Sequence, residues 1–200
     1  YSSPLYRAVL ARYVQMSIQE GVTQAMFPEG GLSLNGTVGP AKKGLLHYIV
    51  RDFNPTNERD VVFVPVALNY DRVLEDRILI SASETGERRF RVRLREAAGW
   101  IWQLIWLKLR GKFHKFGYAA VCYGAPVSLQ DFMTNHPNAS TEALADTLMT
   151  RIRAAVPLLP VPLAAAAMVR AGGSATMATL LEKGGALIAE AGESRANVHL

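Results

Sequence analysis

"VVFVPVALNY", residues 61 to 70, is the stretch that decides the fold. It is a near-continuous run of β-branched and apolar side chains. A strand reads this way when both its faces are covered, because neither face then needs polar residues to meet water. Helical patterns flank the run on both sides, which predicts an α/β domain with a mixed central sheet flanked by helices. Upstream, Leu5, Val9, Leu10, Val14 and Ile18 fall at helical spacing between Ser2-Ser3-Pro4 and Gly21, so residues 4 to 20 should be a helix. Residues 22 to 28 predict a short buried strand, and residues 41 to 51 a second helix. Between them, residues 29 to 40 hold four glycines and a proline, too many for a regular element.

Downstream, residues 88 to 110 have a long helical pattern, basic in its first half and rich in tryptophan in its second. "FGYAAVCYGAPVSL", residues 116 to 129, alternates like a strand and should end in a turn at Gly124-Ala125-Pro126. Helices are expected at 128 to 134, 140 to 155, 163 to 170 and 175 to 191, the third beginning only after Pro157, Pro160 and Pro162. The chain thus divides into a main unit, 1 to 156, and a helical tail, 157 to 200.

Composition narrows the function. With 50% hydrophobic and 20% charged residues the chain is globular in character. A net charge of +5, carried mostly by arginine, suits an anionic partner such as a phosphate ester or an acidic lipid surface. Nucleic acid is not expected, since no reader motif appears. One cysteine, Cys122, excludes an internal disulfide framework and suggests a reducing compartment. The most apolar run, residues 154 to 169, is broken by prolines and falls short of the roughly 20 residues that span a bilayer. No metal or cofactor motif is present. Residue 1 is Tyr and a helix begins almost at once, which suggests a chain cut inside a domain.

The candidate site lies in "TQAMFPEGGLSLNG", residues 23 to 36. Loops at strand ends bind ligands because backbone N–H groups emerge there. Gly30 and Gly31 would let the backbone approach an anion, and Lys42 and Lys43 could supply positive charge to a phosphate. Glu29 could accept a hydroxyl hydrogen bond or hold the loop in shape; a plain structural turn is the rival reading. Gly31-Leu32-Ser33-Leu34-Asn35 lacks the last glycine of a nucleophile elbow, which argues against Ser33 as a nucleophile. "GTVGPAKKG" lacks the Walker spacing. His47 and Asp52 stand five apart like a base and its orienting acid, yet late in a helix, where a structural role is expected. Trp100, Trp102 and Trp106, after the arginines at 88 to 95, have the character of a membrane-surface segment; core packing of the rings is the alternative.

Phe27-Pro28-Glu29-Gly30-Gly31-Leu32-Ser33 resembles the F-P-E-G-x-R-S block of glycerolipid acyltransferases. Val64-Pro65-Val66-Ala67-Leu68-Asn69-Tyr70 is similar to the V-P-[VI]-x-[IL]-x-Y block that follows in that family. "YDRVLE" and "GYAAVCYGAPVSL" look more like the glycerol-3-phosphate branch than the 1-acylglycerol-3-phosphate branch. The resemblance covers roughly residues 1 to 135. It implies transfer of an acyl group from acyl-CoA or acyl carrier protein to glycerol 3-phosphate, or to lysophosphatidate, at the cytoplasmic face of a membrane to which the protein is peripherally bound. On that likeness Glu29, Gly30, Gly31, Ser33, Lys42 and Pro65 are substrate-site residues. The family's H-x-x-x-x-D block precedes F-P-E-G and is expected upstream of Tyr1, so no catalytic residue is assigned here and His47 is given no catalytic role. Leu32 stands where the family has arginine; Lys42 or a nearby arginine would have to substitute, or the acceptor differs. A non-catalytic membrane-surface module remains the reading from another class.

Overall fold

The computed structural model describes residues 3–31, 33, 36–51, 53–56, 59–72, 102, 106, 109–110, 117–137 and 140–193. Helix α1 spans Pro4–Gln19, with Ser3 extended at its N-cap and a proline in its first turn. Helix α2 covers Gly44–Val50. The apolar run that decided the fold forms two strands, β1 at Val62–Phe63 and β2 at Val66–Tyr70. β3 spans Ala119–Tyr123 and β4 Val127–Ser128. Four helices follow: α3 at Leu129–Asn135, α4 at Thr141–Ala154, α5 at Pro160–Arg170 and α6 at Met177–Glu193. The result is a mixture of helices and small sheets. The long pattern at 88 to 110 lies almost wholly outside the described residues.

The sheet differs from expectation. Among the described residues the strands form two antiparallel two-stranded ladders, β1 with β4 and β2 with β3, and no mixed central sheet. The reason is Pro65. It has no N–H to donate, so the ladder breaks there. Val62 pairs with Ser128 and Phe63 with Val127, then Val66 pairs with Tyr123. Between these pairs Val64 and Pro65 face Gly124, Ala125 and Pro126, so one strand carries an extra residue, a bulge. The expected turn at Gly124-Ala125-Pro126 is therefore this bulge, and the strand resumes beyond it. The Gly124 N–H still donates to the Pro65 carbonyl at 2.8 Å. A Cβ on Gly124 would stand 3.2 Å from Pro65 Cβ and 3.3 Å from the Arg151 carbonyl, so the bulge and α4 approach closely because residue 124 is glycine. Arg151 completes the joint by donating to the bulge carbonyls of Ala125 (2.9 Å) and Pro126 (2.6 Å).

The core lies where α2, α3 and α4 meet β1 and β4. Leu46, Phe53, Val127, Leu129, Leu144 and Ala145 are buried together there, with Met26, Val61 and Phe63 packed at its edge. Ser128 and Ser140 start α3 and α4 by accepting from the N–H groups of Asp131 and Ala143. Only one face of the β2–β3 ladder is covered: Ala67 and Cys122 are buried and α4 packs against β2. Val66, Leu68, Tyr70, Val121 and Tyr123 on the other face are exposed among the described residues, whereas the sequence had suggested cover on both sides.

Residues 22 to 27 form no strand. Phe27 is 82% exposed, and no ladder pairing with a described segment involves them. Helix α5 begins at Pro160 rather than at 163. Pro160 takes the first helical position and Pro162 the first turn, where a missing N–H leaves no helix bond unmade. α5 and α6 pack on each other, with Arg170 donating to both carboxylate oxygens of Glu190 at 2.8 Å.

Candidate functional site

The glycine-rich loop is tied at its neck. The Gly30 N–H donates to the Phe27 carbonyl at 2.9 Å, which closes a tight turn, and the Lys42 N–H donates to the Pro28 carbonyl at 2.6 Å, which brings the two ends together. Gly30 has φ +62, a left-handed conformation that suits glycine. Across the loop, Glu29 Oε2 accepts the Gly39 N–H at 3.0 Å. Glu29 thus holds the loop shut, one of the two roles the sequence offered for it. One carboxylate oxygen bonds Gly39; among the described residues no hydrogen bond to the other is seen.

Four of the expected residues join Glu29 in this loop or against it. Lys42 Nζ reaches the Gly30 carbonyl at 3.4 Å, which sets an ammonium over the turn. Ser33 Oγ donates to the Thr37 carbonyl at 2.8 Å, so its hydroxyl proton serves the loop rather than a catalytic base. Gly31 follows Gly30 in the exposed turn, and Leu32 lies outside the described residues. Lys43 points elsewhere and pairs with Glu142 of α4 at 3.1 Å. The Glu142 carboxyl is held below the ordinary glutamate range, first by hydrogen bonding to its own backbone N–H and then by Lys43 and Ser140.

Pro65 is not in the loop. It is buried at the bulge between β1 and β2, where its carbonyl accepts the Gly124 N–H and Gly124 in turn lies against α4. His47 is exposed on α2 with its ring near Tyr48, and Asp52 lies outside the described residues. Trp102 and Trp106 are both exposed, at 70% and 44%, and the Arg110 guanidinium lies 3.4 Å over the Trp106 ring; Trp100 lies outside the described residues. Cys122 is buried in β3. Among the described residues no group of His, Cys, Asp and Glu could hold a metal ion.

Two residues matter that the sequence did not announce. Arg153 of α4 donates to the carbonyls of Val38 (3.4 Å) and Gly39 (3.3 Å), beside the N–H that Glu29 takes. It is a guanidinium at the loop in a chain that has leucine at position 32. Asp71 is buried at the end of β2. Its Oδ2 accepts from the Tyr118 N–H at 2.8 Å and its Oδ1 from the Val161 N–H at 3.0 Å, which joins β2, the start of β3 and the first turn of α5. Acceptance of a helix N-terminal N–H by a carboxylate is the one hint in its chemistry, but the partners are 47 and 90 residues away.

Comparison with known proteins bears on the chain that carries this loop. A family model described as the glycerol-3-phosphate acyltransferase C-terminal region matches residues 101–199. The chain carries a glycerolipid acyltransferase C-terminal region. The match takes in the helical tail, which the sequence motifs left outside the resemblance. This acyltransferase region is 34% identical over 145 residues to a glycerol-3-phosphate acyltransferase of Pseudomonas savastanoi pv. phaseolicola, covering 72% of the chain and 16% of that protein. It is 34% identical over 132 residues to the Pseudomonas syringae pv. syringae protein of the same name, covering 66% and 15%, and 33% identical over 132 residues to that of Ectopseudomonas mendocina, again 66% and 15%. The aligned part thus spans about a sixth of the length of these relatives. No solved structure matches the chain.

Proposed function

We propose that the loop from Phe27 to Lys42 binds the acceptor of an acyltransferase of phospholipid biosynthesis, one that moves a fatty acyl group from acyl-CoA or acyl carrier protein to glycerol 3-phosphate. The observation that carries this reading is the Glu29–Gly39 bond, which holds the loop closed with the Lys42 ammonium over the Gly30 carbonyl. An ammonium beside open backbone in a turn is suited to a phosphate dianion. The second carboxylate oxygen of Glu29 is suited to a glycerol hydroxyl. Arg153 adds positive charge on the opposite side of the loop, in partial replacement of the arginine that the family carries at position 32. The names of the relatives support the acceptor.

The family places its proton-abstracting pair ahead of the F-P-E-G block, and His47 follows that block, so His47 is given no part in the chemistry. Contact with the cytoplasmic face of a membrane is proposed for Trp102, Trp106 and Arg110: exposed indole rings with a cation stacked on one of them suit the headgroup region.

The test is kinetic and uses the full-length protein with glycerol 3-phosphate and acyl-CoA. Glu29→Ala opens the loop and should raise KM for glycerol 3-phosphate roughly tenfold, as expected for one lost hydrogen bond to a charged group, with KM for acyl-CoA little changed. Unchanged kinetics for both substrates would overturn the assignment.

A further inference from the structure

Helix α4 grips the glycine-rich loop from outside it. In its first turn Glu142 takes Lys43 Nζ at 3.1 Å. In its last turn Arg153 donates through Nε to the Val38 carbonyl at 3.4 Å and through Nη2 to the Gly39 carbonyl at 3.3 Å. Residues 38 to 43, the limb that carries Lys42, are therefore tied at both ends to one helix. From Glu142 to Arg153 the helix rises about 16 Å, and a chain from Val38 to Lys43 reaches about 17 Å at most, so the helix runs about as far as the limb it holds. Pro40 narrows the backbone freedom in between. The Val38 carbonyl and the Gly39 N–H belong to one peptide unit. Glu29 accepts from its N–H at 3.0 Å while Arg153 donates to its oxygen, so that unit is clamped from both ends. The Lys43–Glu142 pair is exposed and contributes little by itself, whereas Arg153 holds two neighbouring carbonyls with one fork. Two residues earlier in the same turn, Arg151 donates to the bulge carbonyls of Ala125 and Pro126, beside Pro65.

We infer that Arg153 is a positioning residue for the acceptor site. It fixes the Val38–Gly39 peptide, and with it the limb that sets the Lys42 ammonium over the turn, onto the end of α4. Arg151 fixes the Pro65 bulge onto the same turn, so one turn of helix sets the spacing between the loop and the bulge. Arg153 acts through the backbone it holds and not by touching the acceptor. A lysine in its place would restore the charge but not the fork, because an ammonium is a point donor that does not span two carbonyls in a fixed plane. The effect on the acceptor rests on the reading of the loop given above; the brace itself does not.

The experiment uses the full-length protein and two readouts: amide hydrogen exchange over residues 37 to 43, and steady-state kinetics with glycerol 3-phosphate and acyl-CoA. Arg153→Gln should speed exchange at Gly39 roughly three- to tenfold and raise KM for glycerol 3-phosphate by a similar factor, with KM for acyl-CoA little changed. Arg153→Lys should recover less than half of that loss. Glu29→Ala with Arg153→Gln should match Glu29→Ala alone to within about twofold, because both residues act on one peptide unit. Effects that multiply in the double variant, or full rescue by lysine, would mean that Arg153 meets the acceptor by its charge, and would overturn the positioning role. Unchanged exchange in Arg153→Gln would overturn the brace. Faster exchange with unaltered KM, where Glu29→Ala does raise KM, would leave a structural role only and overturn the inference. If Glu29→Ala itself leaves KM unaltered while Arg153→Gln speeds exchange, the acceptor reading falls and the brace stands.

Discussion

Gly30→Ala separates the backbone role of the loop from its charge. At φ +62 a Cβ costs about 1–2 kcal/mol in the left-handed region. The new methyl would also stand 2.6 Å from Lys42 Cδ and 3.2 Å from its Nζ. A flexible lysine can move away, but only by leaving the Gly30 carbonyl, which takes its ammonium off the turn. Gly172→Ala is the matched control. Gly172 has φ +82 and no atom within 4 Å of its would-be Cβ, so it carries the same backbone strain and displaces nothing. Urea denaturation should give the two variants similar losses, about 1–2 kcal/mol each. Steady-state kinetics of the full-length protein should then part them. Gly30→Ala should raise KM for glycerol 3-phosphate about tenfold, the value of one modest charge-assisted contact near 1.4 kcal/mol, while Gly172→Ala leaves it unchanged. If both variants change KM alike, or neither does, the Lys42 ammonium is not part of the acceptor site.

Asp71→Ala leaves the Tyr118 and Val161 N–H groups without their acceptor and should cost about 2–4 kcal/mol by urea denaturation, with Asp71→Asn, which keeps one acceptor oxygen, near half of that; a loss under about 0.5 kcal/mol would show that water replaces the carboxylate freely. Glu142 should titrate below a free glutamate when followed by NMR, and Lys43→Gln should move its midpoint part of the way back up. Because the folded value is the lower one, the stabilisation is present above pH ~4.3, the pKa of an unfolded glutamate, and is lost as pH falls through the folded value. Trp102→Ala with Trp106→Ala should reduce flotation with anionic vesicles; flotation equal to the parent protein would assign those rings another role.

How far the sequence spoke can be read from particular residues. Helices α1, α3, α4 and α6 were legible because a 3.6-residue period and local punctuation, Ser3-Pro4 or Ser140, are properties of adjacent residues. Residues 22 to 28 misled because apolar composition signals a wish for cover, whereas a strand also needs a neighbour, and the neighbour is not written locally. The prolines before α5 read as breaks, yet at the first turn they break nothing. Pro65 stands inside the run that reads as a single strand, and no local pattern says that the ladder breaks there or that Gly124 to Pro126 face it. In the candidate site, Glu29, Gly30 and Lys42 share a short loop and could be named together. Arg153 reaches the same loop across 114 residues of chain, and no spacing rule connects the two.

Asp71 also has a meaning in time. Its two bonds close loops of 47 and 90 residues, while α1, α4 and the α5–α6 pair form from near neighbours. Closing such loops costs chain entropy before any bond rewards it, so this tie should form after the folding barrier is crossed. Its loss would then leave the folding rate nearly untouched and speed unfolding roughly thirty- to a thousandfold for the 2–4 kcal/mol assigned above. On that view the carboxylate sets the lifetime of the native state more than its rate of formation: it is the latch that keeps the helical tail on the sheet once both have been made.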